Sequence, residues 1–192
     1  MALTFEQLQR LVKGEKLNYF IAPDRPMVRF GVTGLYGRYE VVVHLQDDGR
    51  FLQFRTVNYH TCAEGDPNLH AVLQTMASLN YTTRLVKLGR DPSDGEIVAY
   101  ADHWVMDNQV TQEQFSRMMS NYLPSIDRDY HRIKTAAETG KDPGDPPVTS
   151  PPGAGAPGGL PPELRELLDR VRKGGGPEPS PGGRESAPIE EI

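Results

Sequence analysis

Residues 37–58 read GRYEVVVHLQDDGRFLQFRTVN. Apolar side chains alternate before the central DDG, with Tyr39, Val41, Val43 and Leu45 falling on one face of an extended strand. Asp47, Asp48 and Gly49 form a turn, because glycine tolerates the positive φ that a tight hairpin requires. RFLQFRTVN then returns as the paired strand. A long antiparallel hairpin with one apolar face needs a layer to cover that face, so the neighbouring segments decide the fold.

Upstream, MVRFGVTG at 27–34 reads as a further strand after Pro23 and Pro26. Before it, Phe5, Leu8, Leu11 and Val12 recur at helical spacing. Thr4 and Gln7 have the spacing of a capping box, and Gly14 is a natural stop. Downstream, DPNLHAVLQTMASLN predicts a second helix, with Asp66 as N-cap and Pro67 at the first helical position. Its expected buried stripe is Leu69, Val72, Leu73, Met76 and Leu79, and Asn80 is expected to end it in a left-handed conformation. RLVKLG and EIVAYADHWVM, joined by RDPSDG, form a second hairpin. Thr111 and Gln114 offer another capping box. Phe115, Met118, Met119, Tyr122, Ile126, Tyr130 and Ile133 then hold one helical register across Pro124, where a kink or break is expected.

The order α-β-β-β-α-β-β-α, with strands grouped in hairpins, predicts an α+β domain over 1–139: an antiparallel sheet with helices on one face. Residues 140–192 differ in kind. They hold 12 prolines, 11 glycines and no Phe, Trp or Tyr. Such composition buries too little apolar area to offset chain entropy. It predicts a disordered linker over 140–160, a short amphipathic helix over 161–173 and a disordered tail over 174–192.

The formal net charge of −5 argues against a nucleic-acid binder, which needs a basic surface for phosphate. The lone Cys62 has no internal disulfide partner, and no apolar run approaches the ~20 residues of a membrane span. The amphipathic N-terminus lacks the order of a signal peptide. Together these predict a cytoplasmic protein with no membrane partner.

No motif of catalytic specificity is present. GVTGLYG spaces Gly31, Gly34 and Gly37 three apart, but a phosphate cradle needs a strand–loop–helix context, and a glycine-rich turn is the plainer reading. NYHTCAEGDPNLH gathers His60, Cys62, Glu64, Asp66 and His70, which raises a thiol enzyme, a ligand sensor or a metal site as an alternative function. The one-residue gap between His60 and Cys62 does not match recognised zinc spacings, so no metal ligand, cofactor or catalytic residue is assigned. On the second hairpin, Trp104 with Met106 and Tyr100 lines a pocket or forms core, leaving His103 on the more exposed face. Met118 and Met119 pack on the sheet or supply an adaptable binding surface.

AVLQTMASLN, RLVKLGRDPSDGEIVAYADHWV and VTQEQFSRMMSNYLPSIDRDYHRI together resemble the YbjN family of bacterial sensory transduction regulators, which is similar in fold to type III secretion chaperones. The likeness lies in the Leu79–Asn80 pair closing the middle helix, the acidic hairpin turn, and Thr111, Glu113, Gln114 and Phe115 opening the last helix. It spans roughly residues 4–133. It implies a domain commonly found as a homodimer. It also implies a role in binding non-globular segments of partner proteins, with no catalytic residues to carry over.

Within the tail, Leu164, Leu167, Leu168 and Val171 fall at i, i+3, i+4 and i+7, on one side of a helix. Pro161 and Pro162 suit its start, and Gly174 its end. At about 13 residues the helix is marginal alone and is completed on a groove. The expectation is a non-catalytic protein-binding module, chaperone-like or adaptor. Its partner surface includes Trp104, Met118 and Met119, and its tail helix docks in cis or in trans.

Overall fold

The computed structural model describes residues 2–22, 25–106 and 109–146. Its order is α1 (Phe5–Gly14), β1 (Phe20–Ile21), β2 (Met27–Thr33), β3 (Arg38–Gln46), β4 (Phe51–Thr61), α2 (Leu69–Thr82), β5 (Lys87–Arg90), β6 (Glu96–Trp104) and α3 (Gln112–Thr139). The fold is α+β. The described strands form one antiparallel sheet in the order β1-β2-β3-β4-β6-β5. The two-residue β1 is additional to the five expected strands. The expected tail helix over 161–173, the tail over 174–192 and residues 147–160 of the expected linker lie outside the described residues, whereas 140–146 are described, with Asp142 and Asp145 paired to Arg132.

Local chemistry explains the framework. Both capping boxes form: Thr4 with Gln7 opens α1, and Thr111 with Gln114 opens α3. The β3–β4 turn places Asp47, Asp48 and Gly49 successively at φ of 48°, 53° and 84°. Aspartate tolerates this region better than most residues, and at Gly49 a Cβ would strike the Leu3 carbonyl. The pairing Val41↔Thr56, Val43↔Phe54 and Leu45↔Leu52 sets the register, and Val28 and Phe30 join the same face through Val43 and Val41. That face and the inner sides of all three helices make one core.

Several expectations are corrected. Helix α3 continues through Pro124 without a break, keeping Phe115, Met119, Tyr122, Ile126 and Ile133 buried on both sides of it. Core contacts along the whole helix outweigh the single hydrogen bond lost at the proline. Helix α2 starts at Leu69, and Asn68 is its N-cap. Asp66 instead closes the preceding turn, its Oδ1 accepting from the Asn68 amide at 2.8 Å. Asn80 lies inside α2, where its side-chain amide clamps β5. Its Oδ1 accepts from the Leu88 N–H at 2.8 Å, and its Nδ2 donates to the Leu88 carbonyl at 3.0 Å. Leu73 is on the outer side of α2, and Thr75 takes the inner place.

The faces of β6 are also reversed from expectation. Ala99 and Ala101 point into the core, while Asp102 and Trp104 are exposed. Small residues face inward here because α3 fills the space with Tyr122 and Phe115, both against Phe54 at 5.6 Å between ring centroids. His103 is therefore half-buried on the helical side, edge-on to Phe54.

Candidate functional site

The helices leave one side of the sheet to solvent. Across its middle run Arg29, Val42, Arg55, Tyr100 and Lys87, adjacent in register on successive strands. Val42 is buried there by its neighbours. Arg29 pairs with Glu40 at 2.9 Å, and Gln53 donates to Asp102 at 2.8 Å. These polar links are solvated and contribute little stability.

One end of this face is apolar. Trp104 opposes Phe51 in register and packs edge-on to it at 5.1 Å. Trp104 is 69% exposed and Met106 73%. An aromatic pair held rigidly with so much surface in water is the sort of feature that anchors a partner. Of the expected partner-binding residues, Trp104 is thus on the surface and Met118 is half-buried against the core. Met119 is a correction: it is fully buried, because α3 turns it onto the sheet, and it offers no surface.

His60, Cys62 and His70 differ in setting, and among the described residues no three His, Cys, Asp or Glu side chains stand together as a metal site would need. Asn58, at φ 51°, makes a bulge in β4 that shifts the register between Thr56 and His60. His60 then packs near the Tyr130 ring, and burial pushes its pKa below the usual histidine value. Cys62 is fully buried, and burial raises its thiol pKa, with Asp66 adding to the effect. His70 is exposed on α2. The thiol thus sits in the reverse of the electropositive, accessible setting that activates a cysteine.

The glycine-spaced turn was legible as a turn, but its purpose was not. Gly34 closes it with an N–H to the Gly37 carbonyl at 2.8 Å. The anion in this cradle is the chain's own Asp127, from α3. It accepts from the Leu35 amide at 2.7 Å, the Tyr36 amide at 3.0 Å and the Tyr39 hydroxyl at 2.6 Å. Burial and the Asp127 bond hold the Tyr39 phenol far above its usual pKa. Around this link Tyr130 meets Tyr39 and Tyr59 edge-on, and Tyr36 stacks on His131 at 4.6 Å. The cluster is structural: it ties the β2–β3 turn to the middle of α3.

A family model described as "YbjN: Putative bacterial sensory transduction regulator" matches residues 4–135. The chain belongs to the YbjN family. Among solved structures it is similar to the crystal structure of YbjN, "a putative transcription regulator from E. coli", at 15% identity with a TM-score of 0.53, covering 70% of this chain and 92% of that one. It is also similar to the structure of the HopA1–SchA chaperone–effector complex, at 12% identity and a TM-score of 0.44, covering 64% of this chain and 90% of that one. No curated protein matches the sequence. The YbjN match covers the folded body and stops before the proline- and glycine-rich tail. Among the described residues, no helix is long and apolar enough to cross a membrane.

Proposed function

We infer that the chain is a non-catalytic protein-binding module, an adaptor or chaperone-like regulator, that receives a partner polypeptide on the open face of its sheet. The observation that carries this reading is the exposed Trp104 packed edge-on to the half-buried Phe51, with Met106, two residues further on, exposed as well. Tryptophan, tyrosine and arginine are the usual anchors of protein interfaces, and Arg55 and Tyr100 lie on the same face four residues along β4 and β6 from the apolar corner, with Arg29 further across the same row. The face suits this role better than the edges. The edge strands β1 and β5 have only 2 and 4 residues, too short to template much added strand. The family description as a regulator supports a role exercised through binding.

The open face lies on the far side of the sheet from the helices. The reading therefore holds for a monomer and for a homodimer built on the helical layer. The tail residues Leu164, Leu167, Leu168 and Val171 supply a second adhesive element. The lone buried Cys62 suits a reducing, cytoplasmic setting. Nothing favours the thiol-enzyme alternative, and alkylation of Cys62 slower than that of a free cysteine at neutral pH is expected.

The test is a double variant, Trp104→Ala with Met106→Ser, in the full chain. Both side chains are exposed, so circular dichroism and the unfolding midpoint should be unchanged. Recovery of polypeptide that the native full chain captures from cell lysate should fall at least ~10-fold in the variant if the corner is an interface anchor. Unchanged recovery by a folded variant would count against the reading.

A further inference from the structure

Helix α2, LHAVLQTMASLNYT, contains no Asp, Glu, Lys or Arg. A helix that shows one side to water normally carries charge there. The outer sides of α1 and α3 do, with Glu6 and Arg10 on one and Glu113 and Arg117 on the other. On α2 the inner stripe is Val72, Thr75, Met76 and Leu79. On the outer side Leu73, Ala77 and Tyr81 align four residues apart. Leu73 is 43% exposed and Tyr81 92%. The small Ala77 leaves a notch between two large side chains. Exposed His70, Gln74 and Ser78 flank this apolar row, which is suited to being covered by a partner with an apolar stripe of its own.

The chain's own exit point indicates what covers it. After α3, Gly140 turns the backbone at φ 70°, and Arg132 binds Asp142 and Asp145. Arg132 also reaches the Ser78 hydroxyl of α2 at 3.5 Å. Asp145 adjoins Thr82, Thr83 and Arg84 around a cleft of about 240 Å³. The described chain therefore ends beside the C-terminal half of α2. Residues 147–160 then lead to the amphipathic segment. A random-coil chain of about 14 residues would have a root-mean-square reach of about 20 Å, and α2 itself is about 21 Å long. Such a tether gives an effective concentration on the order of millimolar, enough to keep a weakly binding helix mostly docked.

We propose that residues 161–173 dock in cis on the outer side of α2, with the Leu164–Leu167–Leu168–Val171 stripe set against Leu73, Ala77 and Tyr81. The proposal rests on the reading of that segment as a docking helix and assigns it a site. A helix marginal in water is completed by this contact. The tail then shields the one uncharged helix surface from a second copy of the chain, while the sheet face opposite stays open.

The test uses the full chain carrying Ala77→Cys and Leu168→Cys, oxidised mildly at low micromolar concentration; the native Cys62 is buried. The expected product is an intramolecular disulfide in a monomer. It should form at least ~10-fold faster than in a control pairing Leu168→Cys with Thr33→Cys on the open sheet face, because docking raises the local concentration. Equal rates, or a disulfide joining the Ala77→Cys positions of two chains, would overturn the proposal. In the otherwise native chain, Leu167→Asp with Leu168→Asp should speed hydrogen exchange across 69–82 several-fold, and unchanged exchange counts against docking. If the cis disulfide fails while that Asp variant still loses its partner, the helix docks in trans. This inference then falls and the docking-helix reading stands. If neither effect is seen, both fall.

Discussion

The Asp127 carboxylate of α3 sits where a side chain at Gly34 would have to be. A Cβ there would collide with both carboxylate oxygens. The glycine is thus required by close approach, and the carboxylate is held by two backbone amides and the Tyr39 hydroxyl. Asp127→Asn keeps the shape but faces at least one of these donors with an amide N–H₂. Leaving a buried donor unpaired costs about 1–3 kcal/mol, and urea denaturation should show a loss of that size. Gly34→Ala should destabilise comparably by displacing the same carboxylate. A neutral result for both would mean that the link is not formed.

Two neighbouring aspartates should respond to acid in opposite directions. Burial raises the Asp129 carboxyl above its ordinary 3.8, opposed by Arg128. The native state then holds a proton that the unfolded chain has released, so this group's contribution falls as pH rises from about 3.8 through its raised value. Asp142 is lowered from 3.8, chiefly by its bond to Arg132. Its contribution is full above 3.8 and is lost as pH falls through its lowered value. Denaturation midpoints followed from neutral pH downward should fall more steeply in Asp129→Asn than in the native chain, and less steeply at the acid end in Asp142→Asn. The same slopes in all three proteins would contradict the assignment.

Asn80 joins α2 to β5 through both of its amide atoms. Asn80→Ala leaves the Leu88 N–H and carbonyl without these partners, a cost of about 1–3 kcal/mol. Hydrogen exchange at Leu88 should rise with it. Asn80→Asp should be only partly tolerated, because a carboxylate accepts from the N–H but cannot donate to the carbonyl.

The sequence was most readable where a rule is local. Thr4 with Gln7 and Thr111 with Gln114 act within four residues, and both caps form as their spacing implies. Tyr39, Val41, Val43 and Leu45 alternate cleanly, so the inner face of β3 could be named in advance. Alternation puts Trp104 on one face of β6 with Tyr100, but does not say whether that face is core or open; it is open, and Trp104 is exposed. The core at β6 is filled from α3, and alanines make room for it. Asp66 and Asn80 stand where caps commonly stand, but Asn80 serves a strand eight residues on, and Asp66 closes the turn before α2. The bond between Asp127 and the glycine turn joins positions about 90 residues apart, and no periodicity or spacing rule reaches that far.

A polypeptide received on the open sheet face should cover Trp104. This residue is the chain's single tryptophan, so its fluorescence reports from the site itself. The deciding measurement is the emission maximum and acrylamide quenching of the full chain, titrated with a polypeptide that the native chain captures from cell lysate. Water-exposed emission is expected in the free protein, with a blue shift and loss of quenching at saturation. Emission and quenching that stay unchanged while the complex demonstrably forms would contradict binding on the open face.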